Sequence, residues 1–154
     1  MSVERAPPSA LRRQPVVGES LPALRRQVLQ STIDDYAKAS GDFNPIHVDP
    51  EFARNGPFGR TIAHGLMTLS FVAQMLNDWT SGAFDECGEI DVAFIGPVFA
   101  GDTVEVSGLV EEILARDGQP VARIKLTCRV GGRDILAGSA LQPFEETGKA
   151  RSMG

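Results

Sequence analysis

Apolar and polar positions alternate over most of the C-terminal half of the chain. Ile90, Val92 and Phe94 alternate with Asp91 and Ala93, and Val104 and Val106 open a second alternating run from Thr103 to Leu114. From Val121 to Val130 the alternation places Val121, Arg123, Lys125 and Thr127 on one face. Ala122, Ile124, Leu126 and Cys128 fall on the other. A period of two is that of a strand with one face buried. Asp117-Gly118 and Gly131-Gly132 separate these runs and favour tight hairpins, so Asp134–Phe144 is a further strand. Gly96-Pro97 breaks the first run, and Ala100-Gly101-Asp102 makes a turn. Hairpin-linked strands predict an antiparallel meander.

The N-terminal half has a different rhythm. Ala63 to Asn77 contains two apolar stripes, Leu66, Leu69, Ala73 and Leu76 beside Met67, Phe71 and Met75. Mainly Thr68, Ser70 and Gln74 dilute them, which predicts a helix buried on all sides. Earlier, Leu21–Gln30 suits an edge strand. Thr32 is then read as the cap of a short helix, with Asp34 and Asp35 in its first turn, running to about Ala39 and stopped by Gly41. Asp49-Pro50-Glu51 repeats a helix-start signal that Asn55-Gly56-Pro57 ends. One apolar helix and one antiparallel sheet predict an α+β domain, the sheet packed on or curled around the helix. The reading divides the chain into a flexible leader at 1–19, a domain at 20–145 and a flexible tail at 146–154.

With 154 residues the chain supports one ordinary domain. Its net charge of −5 argues against a nucleic-acid or anionic-membrane surface, while leaving room for a local basic patch. No apolar run reaches the ~18 residues of a membrane span. Cys87 and Cys128, the two cysteines, lack metal spacing and read as free thiols of a reducing compartment, hence a cytoplasmic location. Acidic neighbours of Cys87 argue against a nucleophilic thiol. Ser70 lies mid-helix with no nucleophile elbow around it.

Between the short helices lies SGDFNPIH, Ser40 to His47. Gly41 permits unusual backbone angles, and Pro45 disfavours helical geometry at Asn44, so the segment is expected to form an irregular loop. It carries Asp42 and His47, an acid and a base, and His64-Gly65 opens the main helix further on. An imidazole titrates near neutral pH, and a carboxylate nearby can share a water with it. A helix start beside such a pair supplies N–H groups without internal partners.

The stretch YAKASGDFNPIHVDPEFA followed by FGRTIAHGLM resembles the MaoC-like (R)-specific enoyl-CoA hydratases of the hot dog fold. The family pattern is an aromatic, a small residue before Gly-Asp, then any residue, Asn-Pro, an aliphatic and His. Tyr36, Ser40, Gly41, Asp42, Asn44, Pro45, Ile46 and His47 fit it. The resemblance implies a hot dog fold, a curved sheet around a long central helix, and reversible hydration of 2-enoyl thioesters. It implies catalytic roles for Asp42 and His47, and an oxyanion hole at the Gly65 amide. Asn44, read mainly as a brace of the loop, joins His64, Ala73 and Leu76 in the expected substrate-binding set, the last two beside an acyl tunnel. Arg54 and Arg60 are candidates for the phosphates of the carrier. No metal or cofactor is expected, and His64 is not expected to join Asp42 and His47 as a metal ligand. The expected partners are an acyl-CoA or acyl-carrier-protein thioester and a second copy of the chain, as homodimer or dimer of dimers. A hot dog thioesterase and a non-catalytic acyl-thioester-binding subunit are the alternatives.

Overall fold

The computed structural model describes residues 10–146. Most of the expected elements form, in the expected order. β1 (Leu24–Gln27) precedes α1 (Gln30–Ser40), two short helices α2 (Pro45–Val48) and α3 (Pro50–Arg54), and the long α4 (Gly65–Thr80). Then come α5 (Ala83–Cys87), β2 (Glu89–Phe94), β3 (Thr103–Arg116), β4 (Gln119–Val130) and β5 (Arg133–Pro143).

The sheet is antiparallel with order β1-β3-β4-β5-β2, so β3, β4 and β5 form the meander and β1 and β2 are its edges. Both hairpins turn through residues of positive φ, Asp117 at 50° and Gly118 at 77°, then Gly131 at 54° and Gly132 at 81°. Positive φ at both central positions matches the twist of the flanking strands. The buried face of β4 is Ala122, Ile124, Leu126 and Cys128, and β3 adds Val104, Val106 and Val110. Burial pushes the Cys128 thiol up to about 12, so this cysteine behaves as a core residue. β2 reaches its place through Gly138, where a Cβ would overlap the Asp91 carbonyl oxygen and the Val92 backbone.

α4 lies across this face. Met67, Val72, Met75, Leu76 and Trp79 join the core with Ile33 of α1. One helix and one curved sheet are the hot dog arrangement. The helix is not buried on all sides, however. Leu66 is 61% exposed, and Ser70 and Gln74 share its outward stripe, because the single sheet covers only one side. It begins at Gly65 rather than Ala63 and continues to Thr80.

Three local expectations also change. α1 starts earlier, with Leu29 as its N-cap. Thr32 sits inside the first turn and accepts the Leu29 N–H at 3.4 Å, so the threonine caps backwards. Asp34 and Asp35 consequently lie beyond the first turn. The SGDFNPIH loop is irregular only to Asn44; Pro45–Val48 is a helical turn, since proline is favoured at a first helical position and Asn44 caps it. α5, preceded by Gly82 at φ 89°, had no sequence signal strong enough to single it out.

The expected leader splits. Residues 1–9 lie outside the described residues, as do 147–154 of the expected tail. Residues 10–21 form a strap laid on the domain. Leu11 is buried, its N–H donates to the Pro143 carbonyl at 3.1 Å, and Gly18 and Leu21 donate to Val110 and Gly108 of β3. The apolar Leu11 and Leu21 hold a segment whose composition alone reads as solvated.

Candidate active site

The site is assembled where α1, the capped loop and the start of α4 meet. Gly41 ends α1 in the left-handed region at φ 79°, donating its N–H to Ala37, and turns the chain into the loop. Asp42 Oδ1 accepts the Asn44 N–H at 3.1 Å, and Asn44 Oδ1 accepts the Ile46 N–H at 3.2 Å. Two consecutive side-chain turns therefore fix the loop. They orient the second carboxylate oxygen of Asp42 toward His47, whose Nε2 lies 3.9 Å from it.

His47 is buried, whereas the Asp42 side chain is about half exposed. The imidazole Nδ1 lies 2.7 Å from the Ile62 carbonyl oxygen. A carbonyl only accepts, so Nδ1 carries the proton, and Nε2 of the neutral ring presents a lone pair toward Asp42. At 3.9 Å the two groups are too far apart for a direct hydrogen bond and close enough for both to touch one water.

The bench under this pair is the extended segment 61–64. Ile62 donates to the Ile46 carbonyl at 3.1 Å and Ala63 to the Val98 carbonyl at 2.7 Å. Gln30 ties the parts together: its Nε2 donates to the His47 carbonyl at 2.9 Å, and its Oε1 accepts from Thr61 Oγ1 at 2.6 Å. Gln30 lies outside the stretches that carry the resemblance, Thr61 sits in the second of them with no role read for it, and their partners are distant in the chain.

His64 is the N-cap residue of α4, without a side-chain cap bond. It is 3% exposed, stacks on His47 with ring centroids 3.8 Å apart, and packs against Tyr36. Its Nε2 donates to the Asp42 carbonyl oxygen at 2.9 Å, while Nδ1 is buried without a partner. His64 thus grips the backbone of the very residue whose side chain faces His47. The Gly65 amide begins the helix with no intrahelical acceptor, and no other protein acceptor engages it among the described residues.

Asp42, His47 and His64 bring three possible metal-ligand atoms within 4.8 Å of one another. Their arrangement does not suit an ion. The imidazole planes differ by 26°, so the ring lone pairs run in nearly parallel planes instead of converging, and His64 Nε2 already serves Asp42.

Beside Gly65 opens a cleft of about 310 Å³, lined by Phe58, Ile62, Thr68, Phe94, Pro97 and Ile135 among others. Ala73 and Leu76 do not line it. Leu76 is fully buried in the core, and Ala73 packs against that core. The cleft wall comes instead from the segment after β2, where Gly96-Pro97 had read only as a strand break. Of the two arginines considered for the carrier, Arg54 ends α3, and the Arg60 guanidinium lies 3.7 Å over the Phe99 ring.

Comparisons with known proteins bear on the family and the fold. Residues 12–128 match the family described as MaoC like domain. The 3-hydroxybutyryl-CoA dehydratase of Methylorubrum extorquens is 36% identical over 118 residues, 77% of this chain and 74% of that protein. The (R)-specific enoyl-CoA hydratase of Aeromonas caviae is 36% identical over 109 residues, 69% of this chain and 78% of its own length. A solved structure of the (R)-hydratase from A. caviae involved in PHA biosynthesis superposes with a TM-score of 0.74 at 27% identity, covering 86% of this chain and 99% of that one.

Proposed function

The chain belongs to the MaoC-like domain family and is an enzyme of the hydratase/dehydratase type acting on acyl thioesters, and from that premise we propose that Asp42, His47 and Gly65 carry the reaction. The observation that supports this most is the His47 Nε2–Asp42 Oδ2 separation of 3.9 Å beside the helix start. A water between the two groups loses a proton to the Nε2 lone pair as its oxygen bonds to Cβ of the enoyl thioester. The electron pair of the double bond moves onto the thioester oxygen, where the Gly65 N–H stabilises it. The imidazolium so formed faces the Asp42 carboxylate and returns a proton to Cα. Dehydration reverses each step. Electrostatic help at a helix start suits an enolate, because the partial positive charge lies where negative charge develops.

In this reading the cleft by Gly65 holds the acyl group. Its volume is about 310 Å³. The test is incubation with crotonyl-CoA, following enoyl absorbance, free thiol and product configuration. Loss of absorbance without thiol, giving the (R)-3-hydroxy product, is expected. Thiol release would instead mark a thioesterase, and binding without turnover an acyl-thioester-binding subunit.

We also propose a homodimer or a dimer of dimers. β2 is a sheet edge with open hydrogen-bonding groups, and Phe94 and Ile95 at its end are more than half exposed. Light scattering at micromolar concentration tests it; a monomer would count against it. A cytoplasmic location is supported by the two unpaired cysteines. No helix among the described residues is long and apolar enough to cross a membrane.

A further inference from the structure

We propose that Thr68 is a specificity-determining residue whose hydroxyl hydrogen-bonds a neutral oxygen carried by the acyl chain just beyond the reacting double bond. The inference rests on the hydratase reading above and names a substrate class for it, 2-enoyl thioesters oxygenated near C4.

The cleft beside Gly65 has a rim and a floor. Phe58, Phe94 and Ile95 are exposed, whereas Ala63, Val98 and Ile135 are buried. Thr68 belongs with the floor: it lines the cleft and is 4% exposed. The other lining residues are apolar or glycine. Thr68 follows Gly65 by one turn of α4, on the same face and about 4.5 Å further along the axis.

The other hydroxyls of α4 bond back to the helix. Ser70 donates to the Met67 carbonyl at 2.5 Å and Thr80 to the Leu76 carbonyl at 2.8 Å. The Thr68 hydroxyl has no such bond among the described residues. The His64 carbonyl, four residues back, already accepts the N–H groups of Met67 and Thr68. Among the described residues, the fully buried side-chain atoms without a partner are His64 Nδ1 and Gln142 Oε1, and the Thr68 oxygen is not with them. It is therefore unpartnered yet accessible, and in a residue this buried the accessible side is the cleft. Valine has nearly the same shape, a similar helix propensity and a better match to apolar walls. A hydroxyl in its place suits a ligand that brings its own polar atom, because polar groups taken out of water are paired.

The lining also decides which polar atom. It contains no charged side chain, so a carboxylate on the floor would be buried without a counter-ion. The fitting group is a neutral oxygen: hydroxyl, ether or ketone. With the thioester oxygen on the Gly65 N–H, the turn from Gly65 to Thr68 spans the thioester carbon and the double bond. That sets the partner oxygen at C4.

The experiment compares wild type, Thr68→Val and Thr68→Ser on crotonyl-CoA, 4-hydroxycrotonyl-CoA and glutaconyl-CoA, which carries a carboxylate beyond the double bond. Calorimetry on butyryl-CoA and 4-hydroxybutyryl-CoA gives the same comparison without turnover. The wild type is expected to favour the 4-hydroxy member of each pair. In Thr68→Val the 4-hydroxycrotonyl to crotonyl ratio of kcat/KM should fall about tenfold, mainly through KM. Thr68→Ser, which restores a hydroxyl, should keep most of the wild-type ratio. An equal loss on both substrates in Thr68→Val, or an unchanged ratio, overturns the proposal. So does a wild type that prefers glutaconyl-CoA. A wild type that turns over none of the three, yet binds 4-hydroxybutyryl-CoA more tightly through Thr68, would uphold this role and overturn the reading of the reaction.

Discussion

The two ends of α4 are both polar clusters, and they treat their hydrogen-bonding groups in opposite ways. At the far end, Glu19 of the strap accepts Trp79 Nε1–H at 2.8 Å, and Arg13 holds both of its carboxylate oxygens at 3.0 and 2.9 Å while covering the indole. Thr80 accepts the Phe84 N–H and donates to the Leu76 carbonyl. These groups find partners within the protein. At the Gly65 end, neither the Gly65 amide nor the buried His64 Nδ1 has a partner among the described residues, and His47 Nε2 stops 3.9 Å short of Asp42. Unspent hydrogen-bonding capacity inside a rigid frame costs stability and leaves groups for a substrate. The satisfied end holds the strap in place; the unsatisfied end carries the proposed site.

Substitutions should separate the two ends cleanly. The largest effect is expected from His47→Ala and Asp42→Asn, each lowering kcat for crotonyl-CoA hydration by about 10²–10⁴-fold. The fold should survive, as circular dichroism would check. Near-normal rates in both variants would remove the dyad from the chemistry.

Gly65→Ala keeps the N–H but sets a methyl beside it that holds the thioester oxygen off the amide, and it should follow with a loss of about 10²-fold in kcat. An added Cβ would lie 3.1–3.3 Å from the Phe94 ring, which is half exposed and can turn aside. The melting temperature should therefore shift little. Normal turnover with early melting would assign Gly65 to packing.

At the other end the signs reverse. Trp79→Phe removes a donor to a carboxylate and should cost ~1–2 kcal/mol of stability while leaving kcat within a factor of two or so. Thermal melting and crotonyl-CoA turnover, measured on one preparation, decide this. A loss of activity exceeding the loss of folded protein would couple the strap to the site.

The smallest effect is a pH dependence. The Arg13 hydrogen bond, aided by Trp79, holds the Glu19 carboxyl below its ordinary value of 4.5 despite partial burial. A depressed carboxyl contributes stability above its unfolded value and loses it as pH falls through the folded value. The strap should thus loosen only below about pH 4.5. Trp79 is the sole tryptophan, so its fluorescence reports this directly. In Glu19→Gln the low-pH change should vanish.

The same contrast explains what was legible in the sequence. The hairpins were readable because Asp117-Gly118 and Gly131-Gly132 meet a local demand for positive φ. The meeting of Asp42 and His47 was readable through a dense local motif, Ser40 to His47. The outward stripe of α4 was not, since Leu66 is apolar and its exposure depends on how far one sheet extends. Thr32 carried a capping signal, but the helix begins before it, so its hydroxyl accepts the Leu29 N–H from inside the first turn. Glu19 meets Trp79 across 60 residues, and Leu11 meets Phe144 at the other end of the domain, beyond any window of periodicity. The cleft wall is likewise a matter of tertiary contact, so Phe94 and Thr68 carried no mark, while Ala73 and Leu76 read as well for a tunnel wall as for plain core.

The central claim is that Asp42 and His47 act as one unit on one water. A double-mutant cycle in kcat for crotonyl-CoA hydration tests it most directly. If the pair is a unit, Asp42→Asn combined with His47→Ala should be about as slow as the worse single variant, because either change already disables the shared step. Losses that multiply across the pair would show two groups acting independently and would contradict the account.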